Sequence, residues 1–319
     1  MKTIKEYASY FEQNLKEYQF PGTPSNLYSP LDYFMSLGGK RLRPLLTLMS
    51  TEMFGGDRKE ALPSSLAIEF FHNFSLIHDD IMDKAPLRRN QQTVHTKWND
   101  NIAILSGDVL LVKAYQELQK HDSKHLNSLL SIFNKTAVEV CEGQQMDMDF
   151  QSRVDVSVAE YIEMIRLKTS VLLGAALEMG AVIANATQEQ QKLIYDFGQY
   201  LGIAFQIQDD ILDLYGNPDK FGKQVGGDII SNKKTYLLLK SMEIQVNNEV
   251  NDLLLIEDPI EKVNRAKILI KELGVFDDAQ KLKEKYQKMA LEALSKIDVS
   301  DADKVALCEL SEFLFNREV

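Results

Sequence analysis

Cysteine, net positive charge and long apolar runs are all scarce in this chain, and each scarcity excludes something. Its 319 residues hold two cysteines, Cys141 and Cys308, at no metal-binding or redox spacing. A disulfide-stapled secreted scaffold is therefore excluded, and a reducing, cytoplasmic location is expected. Lys and Arg total 36 against 47 Asp and Glu, a formal net charge of −11. That argues against nucleic acid as a partner, because a phosphate backbone asks for a basic face. A small phosphate-bearing substrate asks only for a local basic cluster. The most apolar stretch, from Val171 to Ala184, carries Glu178 and is too short to span a bilayer. The N-terminal MKTIKEYASYFEQ has no apolar signal-peptide core, so no integral membrane segment is expected. Walker A and nucleophile-elbow sequences are missing, and Asp147-Met148-Asp149 lacks the glycine and spacing of an EF-hand loop.

Strand signals are missing too: no run alternates apolar and polar residues between turns. Helix signals fill the space. Ser157-Val158-Ala159-Glu160 and Thr187-Gln188-Glu189-Gln190 fit the capping box, and Pro44 suits a first helical turn. Segments 66–82, 102–118, 161–184 and 197–214 are apolar over wide arcs, as buried helices are. With no Pro/Gly/Ser linker, the expectation is an all-α, single-domain bundle over residues 1–319, with about ten or more helices, the central ones ringed by others.

Against that apolar background an acidic pentad occurs twice, as Asp79-Asp80-Ile81-Met82-Asp83 and Asp209-Asp210-Ile211-Leu212-Asp213. On a helix the first and last Asp of each share one face, where they repel. One such cluster is readily a solvated helix end. Two, each inside an apolar helix, make sense around divalent cations. Oxygen-only ligands suit Mg2+, which takes one or two carboxylates and fills its shell with waters and phosphates. Basic residues stand nearby: Lys40, Arg41 and Arg43 at a helix start, and Arg88-Arg89 after the first pentad. Arg forks and helix N-termini favour phosphate. Lys168-Thr169 lies mid-helix among leucines, a place for snorkelling or for a held charge. Glu69-x-x-His72 matches half of a di-iron motif, but no second copy exists, so His72 and His78 read as hydrogen-bonding residues. Acidic clusters, magnesium and local cations imply a diphosphate. The aliphatic and aromatic remainder implies that it is carried on a hydrocarbon.

The ordered series GGKRLRP, LIHDDIMD, LRR, GQ (Gly143-Gln144), KT, FQIQDDILD, GK and KKT resembles the trans-isoprenyl diphosphate synthases, or polyprenyl synthetases, from about residue 30 to the C-terminus. The resemblance implies an isoprenoid synthase fold, an all-α bundle around a deep central cavity, usually a homodimer. It also implies head-to-tail 1′-4 condensation of isopentenyl diphosphate with an allylic diphosphate. By position, Asp79, Asp83, Asp209 and Asp213 would bind Mg2+, with Asp80 and Asp210 assisting and three ions present with substrate. Arg88, Lys168, Lys223 and Lys234 would grip the allylic diphosphate. Lys40, Arg43, His72 and Arg89 would bind isopentenyl diphosphate. Thr169 and Gln206 would turn oxygen dipoles to the allylic cation, with Arg88 and Lys168 completing the catalytic set.

Chain length in the family depends on side chains one and two turns before the first pentad. Phe74 is five residues before Asp79, Phe71 eight before, and Ser75 four before. A helical turn rises about 5.4 Å, close to one extended isoprene unit. Phe74 is therefore expected to stop growth after a few units, giving geranylgeranyl (C20) or farnesyl (C15) diphosphate. The alternatives are a longer-chain synthase with Phe71 and Phe74 as plain core residues, a terpene cyclase of the same fold, and a non-catalytic subunit. A cyclase would need no isopentenyl site, and a non-catalytic subunit would be expected to lose the acidic motifs.

Overall fold

Helices form where the caps and apolar faces ask for them. The computed structural model of the chain describes residues 3–216, 225–244 and 248–315. Helices α1 (Ile4–Glu17), α2 (Ser25–Ser36), α3 (Leu42–Met53) and α4 (Arg58–Met82) come first. A two-residue hairpin follows, β1 (Leu87–Arg88) and β2 (Gln91–Gln92), then α5 (Val94–Lys97), α6 (Asp100–Leu118) and α7 (Ser123–Ser152). Next are α8 (Val158–Ile165), a π-turn (Arg166–Ser170), α9 (Val171–Ile183) and α10 (Gln188–Tyr215). The remaining described helices include Gly227–Ile230, Tyr236–Ile244, Glu249–Leu254, Pro259–Glu272, Val275–Ser295 and Asp301–Phe315.

Both anticipated capping boxes form. Ser157 Oγ accepts from the Glu160 amide while Glu160 accepts from the Ser157 amide. Thr187 and Gln190 do the same at 3.3 and 2.9 Å. Pro44 lies in the first turn of α3. The hairpin departs from the all-helical expectation. Arg89 and Asn90 both take positive φ, 54° and 61°, which is the turn that matches the twist of a two-residue hairpin.

The chain divides into two compact units. The first comprises Met1–Phe133, Ala176–Gln191 and Val299–Leu307. Its core is aromatic and aliphatic, with Phe11, Phe34, Leu46, Phe70 and Phe71 almost wholly buried. Here Gly180 of α9 lies against the Thr47 carbonyl of α3, leaving no room for a Cβ, and Ser50 and Thr51 donate to the Leu177 and Gly180 carbonyls. The second unit comprises Asn134–Ala175, Lys192–Asp298 and Cys308–Val319. Its core gathers Tyr161, Met164, Ile203, Ile207, Ile211 and Leu238. Among the described residues no helix is long and apolar enough to cross a membrane.

Candidate active site

The first acidic cluster closes α4. Asp79 lies in the last turn and Asp83 is the C-cap, its N–H donating to the Asp79 carbonyl at 2.9 Å. The negative end of the helix dipole disfavours carboxylates there, and the last turn holds no basic residue to offset them. Asp80 points inward and is 1% exposed. Arg88 Nε donates to both its oxygens, at 2.8 and 3.0 Å, while Nη2 reaches Asp79 at 3.5 Å. Burial nevertheless pushes the Asp80 carboxyl up, against the pull of Arg88.

A cationic cluster stands in the same unit. Gly38 and Gly39 take φ of 76° and 137°, a path open to glycine, and deliver Lys40, Arg41 and Arg43 to the start of α3. A Cβ on Gly39 would sit 2.6 Å from the Arg89 guanidinium, so that plane lies directly on the loop. Arg43 Nη1 donates to His72 Nε2 at 3.1 Å. His72 is held neutral: burial depresses its pKa well below 6.5, and Arg43, Arg89, Arg88 and Arg41 push the same way. Burial lowers Arg43 to about 10 and lowers Arg89 as well. Among the described residues neither Arg43 nor Arg89 forms an ion pair, and Arg43 Nε is buried without a hydrogen-bond partner. Arg43 is half-buried and Arg89 exposed beside it, and two cations this close with no direct ion pair favour an anion.

The second acidic cluster closes α10 in the other unit, again with no basic residue in the last turn. Asp213 accepts from the Asp228 amide at 3.0 Å. Asp210 is buried and takes hydrogen bonds from the Tyr161 hydroxyl, from Gln206 Nε2 at 3.3 Å and from the Tyr236 amide at 3.3 Å. Burial, then Asp228, raise the Asp210 carboxyl to about 7. A small cavity here is lined by Lys168, Thr169, Gln206, Asp210, Asp228 and Lys233 among others. Lys168 sits in the π-turn and donates to Asp147 at 2.6 Å.

These features, in this order along one chain, match the model of the polyprenyl synthetase family over residues 24–273. The chain belongs to the polyprenyl synthetase family. It is 35% identical to a short chain isoprenyl diphosphate synthase of Methanothermobacter thermautotrophicus, covering 100% of this chain and 98% of the relative. It is 37% identical to a geranylgeranyl pyrophosphate synthase of Geoglobus acetivorans, covering 99% and 98%. A crystal structure of a geranylgeranyl pyrophosphate synthase superposes with a TM-score of 0.95 at 45% identity, covering 100% of both chains. The resemblance read from the motifs is borne out, and with it the assignment to the trans-prenyltransferases and the isoprenoid synthase fold.

Within the polyprenyl synthetase frame, the donor chemistry fits Mg2+. Among the described residues no three His, Cys, Asp or Glu side chains could hold an ion by themselves. An ion that draws most of its shell from water and phosphate needs no such cage. Both clusters are oxygen-only and end helices whose dipoles welcome a cation. Phe71 is 1% exposed and packs edge-on against Phe133 with ring centres 5.3 Å apart. Phe74 is half-buried and meets His78 edge-on at 4.7 Å, while Ser75 Oγ bonds back to the His72 carbonyl. Lys223 lies outside the described residues. Lys234 is half-buried and is absent from the Asp210 cavity, which its neighbour Lys233 lines. Asp147, Tyr161, Asp228 and Lys233 line this cavity and were given no site role by the motifs. Asp147 carried a signal, since it follows Gly143 by four residues on one helix face.

Proposed function

We propose that this chain condenses isopentenyl diphosphate head-to-tail, 1′-4, with allylic diphosphates, giving geranylgeranyl diphosphate (C20), with farnesyl diphosphate (C15) the nearest alternative. The observation that carries this reading is the cationic cluster of Arg43 and Arg89 around a neutral His72. It offers a diphosphate site that needs no metal, alongside acidic helix ends that do. A cyclase has use only for the second kind.

In the proposed reaction the allylic C1–O bond breaks, the isopentenyl double bond attacks the cation, and a proton leaves to the released diphosphate. Mg2+, as three ions held through Asp79, Asp83, Asp209 and Asp213, would neutralise the departing diphosphate. Asp80 and Asp210 would assist, Asp80 by holding Arg88 and Asp210 by holding Tyr161 and Gln206. Arg88, Lys168 and Lys234, with Lys223, grip the allylic diphosphate. Lys40, Arg43, His72 and Arg89 hold isopentenyl diphosphate. Gln206 gives its Nε2 to Asp210, which leaves its carbonyl oxygen as a dipole for the cation. Thr169 lines the same cavity and supplies a second oxygen. Residues 1–319 act as one domain, as a cytoplasmic homodimer.

Product analysis tests this. Purified protein, Mg2+, isopentenyl diphosphate and C5, C10 or C15 primers should yield C20 or C15 alcohols after dephosphorylation. Ionisation of the primer with no isopentenyl consumption would instead mark a cyclase. Asp79→Ala or Asp209→Ala should remove Mg-dependent turnover while the protein stays folded; full activity in either would overturn the metal assignment.

A further inference from the structure

The GGKRLRP segment offers three cations, and the isopentenyl role falls to Lys40 and Arg43. Arg41 lies between them and is held by the protein itself. It is 5% exposed and holds φ of 48°, a left-handed conformation that favours glycine. A non-glycine residue stays there only when its surroundings over-determine it. Here three elements do so. Nε donates to Glu12 of α1 at 3.1 Å, Nη1 to Glu69 of α4 at 2.6 Å, and Nη2 to the Met35 carbonyl near the end of α2 at 2.7 Å. Glu69 is 2% exposed and also accepts from Asn73 at 2.8 Å, so the anchor is itself anchored.

The two halves of Glu69-x-x-His72 thereby acquire separate partners. Glu69 takes Arg41 and His72 takes Arg43, one turn apart on the same face of α4. Locking Arg41 fixes the turn from which Lys40 and Arg43 leave and in which Gly39 lies against Arg89. We propose that Arg41, through its buried pair with Glu69, is the positioning residue that sets the geometry of the isopentenyl diphosphate site. It touches no substrate and acts through Lys40, Arg43 and Arg89. The inference rests on the condensation reading for the identity of the ligand, and on the structure for the cluster itself.

The test is Arg41→Lys, which keeps the charge but cannot fork to three partners. Initial rates should show the KM for isopentenyl diphosphate raised by about tenfold or more, with the allylic KM within about twofold. Melting should confirm a folded protein. In parallel, inorganic diphosphate without Mg2+ is titrated calorimetrically onto both proteins, and its affinity should fall by a similar factor. Equal diphosphate affinity in wild type and variant would overturn the proposal, as would equal loss for both substrates. A wild type that performs no condensation, yet loses diphosphate affinity on substitution, would uphold the positioning and overturn only the condensation reading. Should Arg41→Lys fail to fold, Glu12→Gln decides: Glu12 is 36% exposed and supplies one of the three anchors. About a threefold loss of diphosphate affinity in Glu12→Gln upholds the proposal and an unchanged value overturns it.

Discussion

The middle aspartates of the two pentads are the same residue in the same local sequence, yet their surroundings give them different chemistry. Asp80 has a guanidinium against it, whereas Asp210 has a phenol, an amide side chain and a backbone N–H. Burial raises both, and with Asp228 beside it Asp210 reaches about 7. Between the ordinary carboxylate range and about pH 7 the folded protein therefore binds a proton at Asp210 that the unfolded chain does not. Stability from this group is present below that range and falls as pH rises towards about 7. His121, pushed down to about 4 by burial, runs the opposite way. The comparison to make is thus Asp210→Asn against wild type without metal: the melting-temperature difference should move in the variant's favour from pH 4 to pH 7, then level off. A difference independent of pH would remove Asp210 as the titrating group. The pentads themselves were legible in sequence because carboxylates at helical spacing in apolar helices are conspicuous. Arg41 was legible as a cation but not as an anchor, because its partners Glu12 and Glu69 are distant in sequence, and the spacing of Asp147 from Gly143 did not disclose its partner Lys168.

Among the elements, the α8–α9 segment shows what periodicity misses. Its sequence reads as one helix over 161–184, and the apolar pattern barely changes when one extra residue enters a turn. The π-turn at Arg166–Ser170 is marked instead by Ser170 Oγ donating to the Ile165 carbonyl at 3.2 Å, and by glycines on its neighbours. Gly143 of α7 lies so close that a Cβ would overlap the Lys168 backbone, and Gly202 of α10 crowds Ser170 in the same way. Gly143→Ala should therefore cost about 1–3 kcal/mol in overpacking, partly offset by about 1 kcal/mol of helix propensity. Calorimetry should show melting lowered by a few degrees, with kcat/KM for the allylic substrate falling about tenfold as Lys168 is displaced. Gly22→Ala, with nothing within 4 Å of its added methyl, serves as the neutral control. The proposed chain-length residues on α4 separate the same way. Phe71 is core, so Phe71→Ala should lose about 3–5 kcal/mol of stability. Phe74 is half-buried, and Phe74→Ala should lengthen the product by at least one isoprene unit in sized alcohols. An unchanged product would mean that Phe74 does not end the chain.

At the scale of the whole molecule, the all-α content followed from caps and apolar arcs, while the helix start at Arg58 and the division into two units did not. Its boundaries fall at 133/134, 175/176, 191/192, 298/299 and 307/308, and all except 298/299 lie inside helices, where no composition shift marks them. One exposed apolar surface bears on the proposed assembly. On α6, Ile104, Leu105 and Val112 are 42%, 58% and 55% exposed, an apolar stripe on a helix otherwise packed on α4. A second copy of the chain would cover that stripe, in keeping with the homodimer expected of the family. In a two-fold interface each substitution occurs twice, so Leu105→Glu or Val112→Glu would place two like charges across the axis. Sedimentation of the wild type should give twice the chain mass of 36.3 kDa, and either variant should shift towards a single chain. A wild-type monomer, or variants that remain dimeric at micromolar concentration, would place the interface elsewhere. Loss of dimer with an unchanged melting profile would further show that the chain folds before it pairs.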